Sequence, residues 1–131
     1  MGQNRRPIII VSLLVIVCLA TAGYSYFQYA LLQLHVAFAE GQTVYFEEDR
    51  RRALASNSPD EIVALMESTV NYYPSGTKQP TGTRVDRIVE RARNLAAADM
   101  ILRLKQVTGL DLGKDPAKWI EKHHKTGNLS K

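Results

Sequence analysis

The chain has 131 residues, of which 45% are hydrophobic and 23% charged, with a formal net charge of +4. A single cysteine excludes an intramolecular disulfide and a thiolate metal cluster. About 30 residues belong to an apolar region near the start, so roughly 100 remain, enough for one small domain and not for two.

Ile8 to Tyr29, IIIVSLLVIVCLATAGYSYFQY, carries no charge and follows MGQNRRP. A bilayer core of about 30 Å is crossed by about 20 helical residues, so residues 8–29 have the length of a transmembrane helix. Arg5 and Arg6, with Ala20-Thr21-Ala22 ahead of Gly23, also fit a signal peptide cleaved after Ala22. Against cleavage, the apolar run continues into Tyr24, Tyr26, Phe27 and Tyr29, the aromatic cluster expected where a spanning helix meets headgroups. Cys18 follows Ile16 and Val17, where a lipidated cysteine needs a small residue, so it reads as a lipid-facing or packed thiol. Arg5 and Arg6 stand before the run with no acid, whereas Glu40, Glu47, Glu48 and Asp49 precede the first basic residue after it. Positive charge near a span stays on the cytoplasmic side. Residues 1–7 are therefore expected as a cytoplasmic tail at the cell (inner) membrane, with the C-terminal part periplasmic or extracellular.

Residues 30–56 read as a juxtamembrane stalk. Leu31, Leu34 and Phe38 keep a helical rhythm, with Leu32, Val36 and Ala39 on the neighbouring side. Gly41-Gln42-Thr43 lowers helix propensity and predicts a bend, and Val44-Tyr45-Phe46 is the one candidate strand, placed to seat against the domain or the headgroups. The EEDRRR run offers ion pairs at four-residue spacing, Glu47 with Arg51 and Glu48 with Arg52.

Residues 57–127 read as a small helical domain, with 128–131 as a tail. Ser58-Pro59-Asp60-Glu61 is a helix start, with Ser58 as cap, Pro59 at the first position and Glu61 completing a capping box. Ile62, Leu65, Met66, Thr69, Val70 and Tyr73 give that helix one apolar face, and Pro74 ends it. Tyr72 to Thr83, YYPSGTKQPTGT, reads as a turn region. A long helix follows from about Arg84 to Thr108, capped by Thr83 and closed by Gly109, with an apolar line through Val85, Ile88, Val89, Ala92, Leu95, Ala96, Met100, Leu104 and Val107. Asp99 and Arg103 stand at ion-pair spacing, and Leu110 and Leu112 are placed to fold back on the last turn. Asp115-Pro116 restarts a helix carrying Trp119 and Ile120 and fading at Gly127. The expected fold is all-α: an N-terminal transmembrane helix with a helical stalk, then a small antiparallel helical hairpin and a short C-terminal helix clamped across one end by Trp119.

The segment TGLDLGKDPAKW, Thr108 to Trp119, resembles a terminal motif, TG-x-D-[FL]-G-x-DP-x-x-W, found after helices in HEAT-like and other helical-hairpin proteins of bacteria and at the end of small single-pass membrane proteins. The matching residues are Thr108, Gly109, Asp111, Leu112, Gly113, Asp115, Pro116 and Trp119. The resemblance implies an α-helical interaction module and transfers no catalytic residue. With at most one helical pair, the chain lacks the array that makes a HEAT superhelix.

No constellation in the sequence points to catalysis or to a cofactor. His123 and His124 are adjacent, about 100° apart on a helix, and so do not form a zinc pair at four-residue spacing. Ser58 has a capping role, Ser75 lies in a turn without a nucleophile elbow, and PSGTKQPTGT fails the phosphate-loop pattern. Of the net charge, the N-terminal tail contributes +2, Glu40 to Arg52 −1 and Asn57 to Lys131 +3, without the interleaving of aromatic and basic residues expected for nucleic acid. The turn region and the helix after it supply the candidate interaction surface: Tyr72, Tyr73, Lys78, Arg84, Arg87 and Arg91, aromatic faces and cations beside exposed backbone donors. The sequence thus suggests a non-enzymatic, membrane-anchored accessory protein in contact with lipid and with a protein partner or larger membrane complex. The alternative is an envelope-binding module that recognises an anionic polymer or lipid surface.

Overall fold

The structure, a computed structural model, describes residues 5–127 and the side chains of 7–125. Of the two expected tails, residues 1–4 and the whole of 128–131 lie outside the described residues. Four helices follow in order: α1 Arg5–Ala55, α2 Pro59–Asn71, α3 Arg84–Thr108 and α4 Pro116–Gly127. No strand occurs among the described residues, and Val44 to Phe46 are helical. The fold is all-α, as the periodicities require. The chain divides into two compact units, Met1–His35 and Val36–Lys131.

The first unit holds the apolar run. Its most apolar window has a mean hydropathy of 2.5 with none of it buried, and the helix is long and apolar enough to cross a membrane. Thr21, inside the run, donates its hydroxyl to the carbonyls of Val17 and Cys18, at 3.0 and 2.9 Å, so its polar atom is satisfied within the helix.

The second unit begins well before Asn57. Ala39, Gln42, Phe46, Asp49 and Ala53 are all buried, at 7%, 4%, 1%, 4% and 0% exposure. Their spacing of three and four residues is the inward line of a bundle helix. Residues 36–55, expected as stalk, are therefore a core helix of this unit. Gly41 to Thr43 do not bend it out of helical conformation, because the packed face outweighs a modest propensity cost. Val44 lies on the opposite face, 64% exposed, and Phe46 is the residue that seats.

Helices α2 and α3 run antiparallel. Arg103 on α3 donates to the Ser56 carbonyl and to Asn57 Oδ1 at the start of α2, while Arg93 reaches Tyr72 and Tyr73 just beyond its end. Ala53, Ile62, Val63, Leu65, Met66, Met100, Ile101, Leu104 and Trp119 form one core cluster; Phe46, Ala39, Val89 and Ala96 form a second. On α3 the inward line is Val89, Arg93, Ala96, Met100 and Leu104, so Ile88 and Leu95, expected inside, point outward.

The ends of the helices follow their caps. Ser58 Oγ accepts from the Glu61 amide and Thr83 Oγ1 from the Asp86 amide. The reciprocal half of the first box is relayed: the Ser58 amide donates to Ser56 Oγ, which in turn donates to the Glu61 carboxylate at 2.6 Å. Gly109 closes α3 at φ 70, its amide donating to the Lys105 carbonyl. After it, Asp111 accepts from the Gly113 amide, Asp115 accepts from the Ala117 amide to start α4, and Trp119 Nε1 donates to the Gly113 carbonyl. Leu112 packs on the core, whereas Leu110 is 48% exposed. His123 and His124 bind Asp60 and Glu67, docking α4 on α2.

The ion pairs differ from those expected. Glu47 pairs with Arg50 and Glu48 with Arg51, at three-residue spacing. Arg50 is already held by Asp99 at 2.6 Å, which places its guanidinium within reach of Glu47. With Asp99 turned to Arg50, Arg103 bonds the loop ahead of α2 instead.

Candidate functional site

The loop between α2 and α3 is built by three buried polar side chains. Asp86, 4% exposed, accepts from Ser75 Oγ at 2.8 and 2.9 Å and from the Gly82 amide at 2.8 Å, pinning both halves of the loop to the first turn of α3. Arg93, 7% exposed, donates through Nη2 to the carbonyls of Tyr72 and Tyr73 at 2.8 and 2.7 Å, through Nη1 to Glu90, and lies 5.2 Å from the Phe46 ring centre. Gln79, 4% exposed, donates to Gln42 Oε1 at 3.1 Å. Gly76 is obligatory: its φ is +86 and an added Cβ would lie 2.5 Å from Thr81 Oγ1.

These bonds bring three of the sequence candidates together. Tyr72 stacks on Tyr45 with ring centres 4.0 Å apart and meets Phe46 edge-on at 6.1 Å. Tyr73 takes a φ of +41, a left-handed conformation uncommon for a bulky residue, held there by the Arg93 bond to its carbonyl. Lys78 Nζ sits 4.2 Å from the centre of the Tyr73 ring and 5.0 Å from that of Phe38. Ala37, Phe38, Gly41, Gln42, Tyr72, Tyr73 and Lys78 line a cavity of about 260 Å³.

The three arginines are placed elsewhere. Arg84 opens α3, exposed; Arg87 donates to the Gly82 carbonyl at 2.7 Å; and Arg87 and Arg91 line an open depression with Glu90, Asn94 and Leu95. None of them lines the Lys78 cavity. The sequence reading passed over Phe38, Gln42, Gln79, Asp86 and Arg93. A signal for Phe38 and Gln42 was present: four residues apart, they share one helix face with Ala37 and Gly41 beside them. Asp86 carries a signal only as the third residue after the Thr83 cap, which says nothing of its bonds to the loop, and Arg93 carries none, since a charged residue within an apolar line reads as a boundary of that line.

Charged groups outside the loop are perturbed as well, the pKa of Glu121 being lowered by its hydrogen bond from Lys125. The Asp99 hydrogen bond and then the Glu47 charge push Arg50 above its ordinary value. Hydrogen bonds from Lys105 and the Gly113 amide hold Asp111 below the usual carboxylate range. No group of three or more His, Cys, Asp and Glu side chains suited to a metal ion occurs among the described residues. Comparison with known proteins finds no match to a family model, to a curated protein or to a solved structure.

Proposed function

We propose that this is a single-pass membrane protein, anchored through Ile8–Tyr29 with its N-terminus cytoplasmic, whose outward-facing helical unit is an accessory or interaction module of a larger membrane complex. The observation that carries the reading is an uncovered apolar line on α3. Ile88, Leu95 and Leu102 recur at seven-residue spacing and are 54%, 61% and 56% exposed, while the opposite face of the same helix fills the core. Single exposed apolar residues are ordinary, but three in one register form the seam onto which a second helix packs. The partner that fits is a helix of another subunit with a matching apolar line. The likeness of Thr108 to Trp119 to a helical-hairpin motif supports the same class of module.

The test is a photo-reactive residue at Leu95 in the full chain, activated in its membrane and solubilised in mild detergent. An adduct with a different membrane polypeptide is expected, absent when Leu102 is changed to Glu. A stable monomer without adducts would count against a docking role. A second reading rests on Arg84, Arg87 and Arg91, three exposed cations within two turns of α3. It makes the unit a binder of anionic envelope polymer or lipid, with retention on such material lost at high salt and on charge reversal of the three.

A further inference from the structure

We propose that the cavity around Lys78 receives the phosphate of an anionic phospholipid headgroup, an inference that rests on the membrane anchoring set out above. The lining determines the chemistry. Lys78 contributes a cation that meets no acidic side chain among the described residues, only the ring faces of Tyr73 and Phe38. Gln42 is 4% exposed, and its Nε2 has no hydrogen-bond partner among the described residues, because the bond to Gln79 uses only its oxygen. A buried amide donor without an acceptor is costly, and Gln42 is among the residues that line the cavity. A cation and an unused donor, with no carboxylate in the lining, select an anion. The rings of Phe38, Tyr72 and Tyr73 give it an apolar wall suited to the glycerol and first methylenes of a lipid.

The position in the chain favours a lipid over a dissolved anion. Seven residues lie between Tyr29 and Ala37, so the two are no more than about 28 Å apart even in fully extended chain. No charged residue intervenes before Glu40. In a bilayer the cavity therefore stays within reach of headgroups whose local concentration is high enough for one lysine and one amide to be occupied. Arg84 and Arg87 add positive charge at the same end of the unit, since Val85 and Ile88 share a groove with Val36, Ala39 and Glu40. Tyr73 gains a role: its left-handed backbone turns the ring beneath Lys78.

The experiment uses the full chain in nanodiscs of phosphatidylcholine with or without one-fifth phosphatidylglycerol, after flotation with phosphatidylcholine vesicles has scored insertion. Lipid kept on the protein is then counted by native mass spectrometry. The expected result is preferential retention of phosphatidylglycerol, reduced about fivefold in Lys78→Gln. Lys78→Arg restores it, Lys125→Gln leaves it unchanged, and inorganic phosphate at millimolar concentration does not displace it. A chain that floats yet keeps both lipids equally, or a Lys78→Gln chain that keeps phosphatidylglycerol as the parent does, overturns the headgroup site and leaves the anchor standing. Displacement by inorganic phosphate overturns the lipid and assigns the cavity to a soluble anion. A chain that does not float overturns the anchoring reading and the headgroup site together.

Discussion

Where α4 packs, Ala53, Ile62, Met66, Met100, Leu104 and Trp119 are each at most 3% exposed, and contact between apolar side chains does the holding. Where the Tyr72–Thr83 loop lies, the interior positions are Gln42, Gln79, Asp86 and Arg93, held by directed hydrogen bonds, with Gln42 Nε2, Gln79 Oε1 and Arg93 Nε left unpartnered among the described residues. Apolar packing is non-directional and tolerates small adjustments, whereas a polar interior fixes one arrangement of the backbone and costs stability wherever a bond is missing. The two ends therefore divide the work. One end supplies cohesion, and the other holds a strained, cavity-lining loop in a single shape.

The comparison breaks most sharply at the residues that join the two ends. Phe46→Ala removes the largest side chain that α1 buries, with an expected loss of about 3–5 kcal/mol in chemical denaturation of the full chain in detergent. Val44→Ala, on the exposed face of the same helix, should stay within about 0.5 kcal/mol. Equal effects at 44 and 46 would contradict burial of the second half of α1. At the loop end, Arg93→Met leaves the Tyr72 and Tyr73 carbonyls without their donor, an expected cost of about 2 kcal/mol. Limited proteolysis should then cut within Pro74 to Pro80 well before the apolar end opens. Simultaneous loss of both ends would show that they are not energetically separable.

At the cap of α3, Gly109→Ala places a side chain at φ 70 and should cost about 1 kcal/mol, visible as a lower midpoint in thermal unfolding. The smallest effect is electrostatic. Asp111 is held ionised by Lys105 and the Gly113 amide, so its folded-state pKa lies below the unfolded one. That contribution is present above the unfolded value and is lost as pH falls through the folded one. Carbon-detected titration should place the Asp111 midpoint below that of an ordinary aspartate, and Lys105→Ala should move it upward. No movement in that variant would remove Lys105 as the cause.

Much of the fold was legible because local chemistry and global packing agree in α2, α3 and α4. Ser58-Pro59, Thr83 with Asp86, Gly109 and Asp115-Pro116 are end signals whose physics is local, and each sits where the helix begins or stops. The second half of α1 was misread as stalk because Gln42 and Asp49 occupy two of its five inward positions, which breaks the apolar period that sequence reading follows. Leu95 was misplaced for the complementary reason: an exposed leucine and a buried arginine, Arg93, exchange the faces that hydrophobicity alone assigns them. Of the candidate surface, Tyr72, Tyr73 and Lys78 are neighbours in sequence and meet in one cavity. Its other wall, Phe38 to Gln42, lies about thirty residues earlier in the chain, and only tertiary packing brings it there.

The most direct measurement is amide hydrogen exchange on the full chain in nanodiscs, resolved over residues 44–54 and 93–104. The expected result is that the amides of Phe46 to Ala53 exchange as slowly as those of Arg93 to Leu104, because both segments open only when the whole unit unfolds. Fast exchange over Phe46 to Ala53 beside a protected α3 would mean that the segment is a solvated tether, and the bundle described above would lose its first helix.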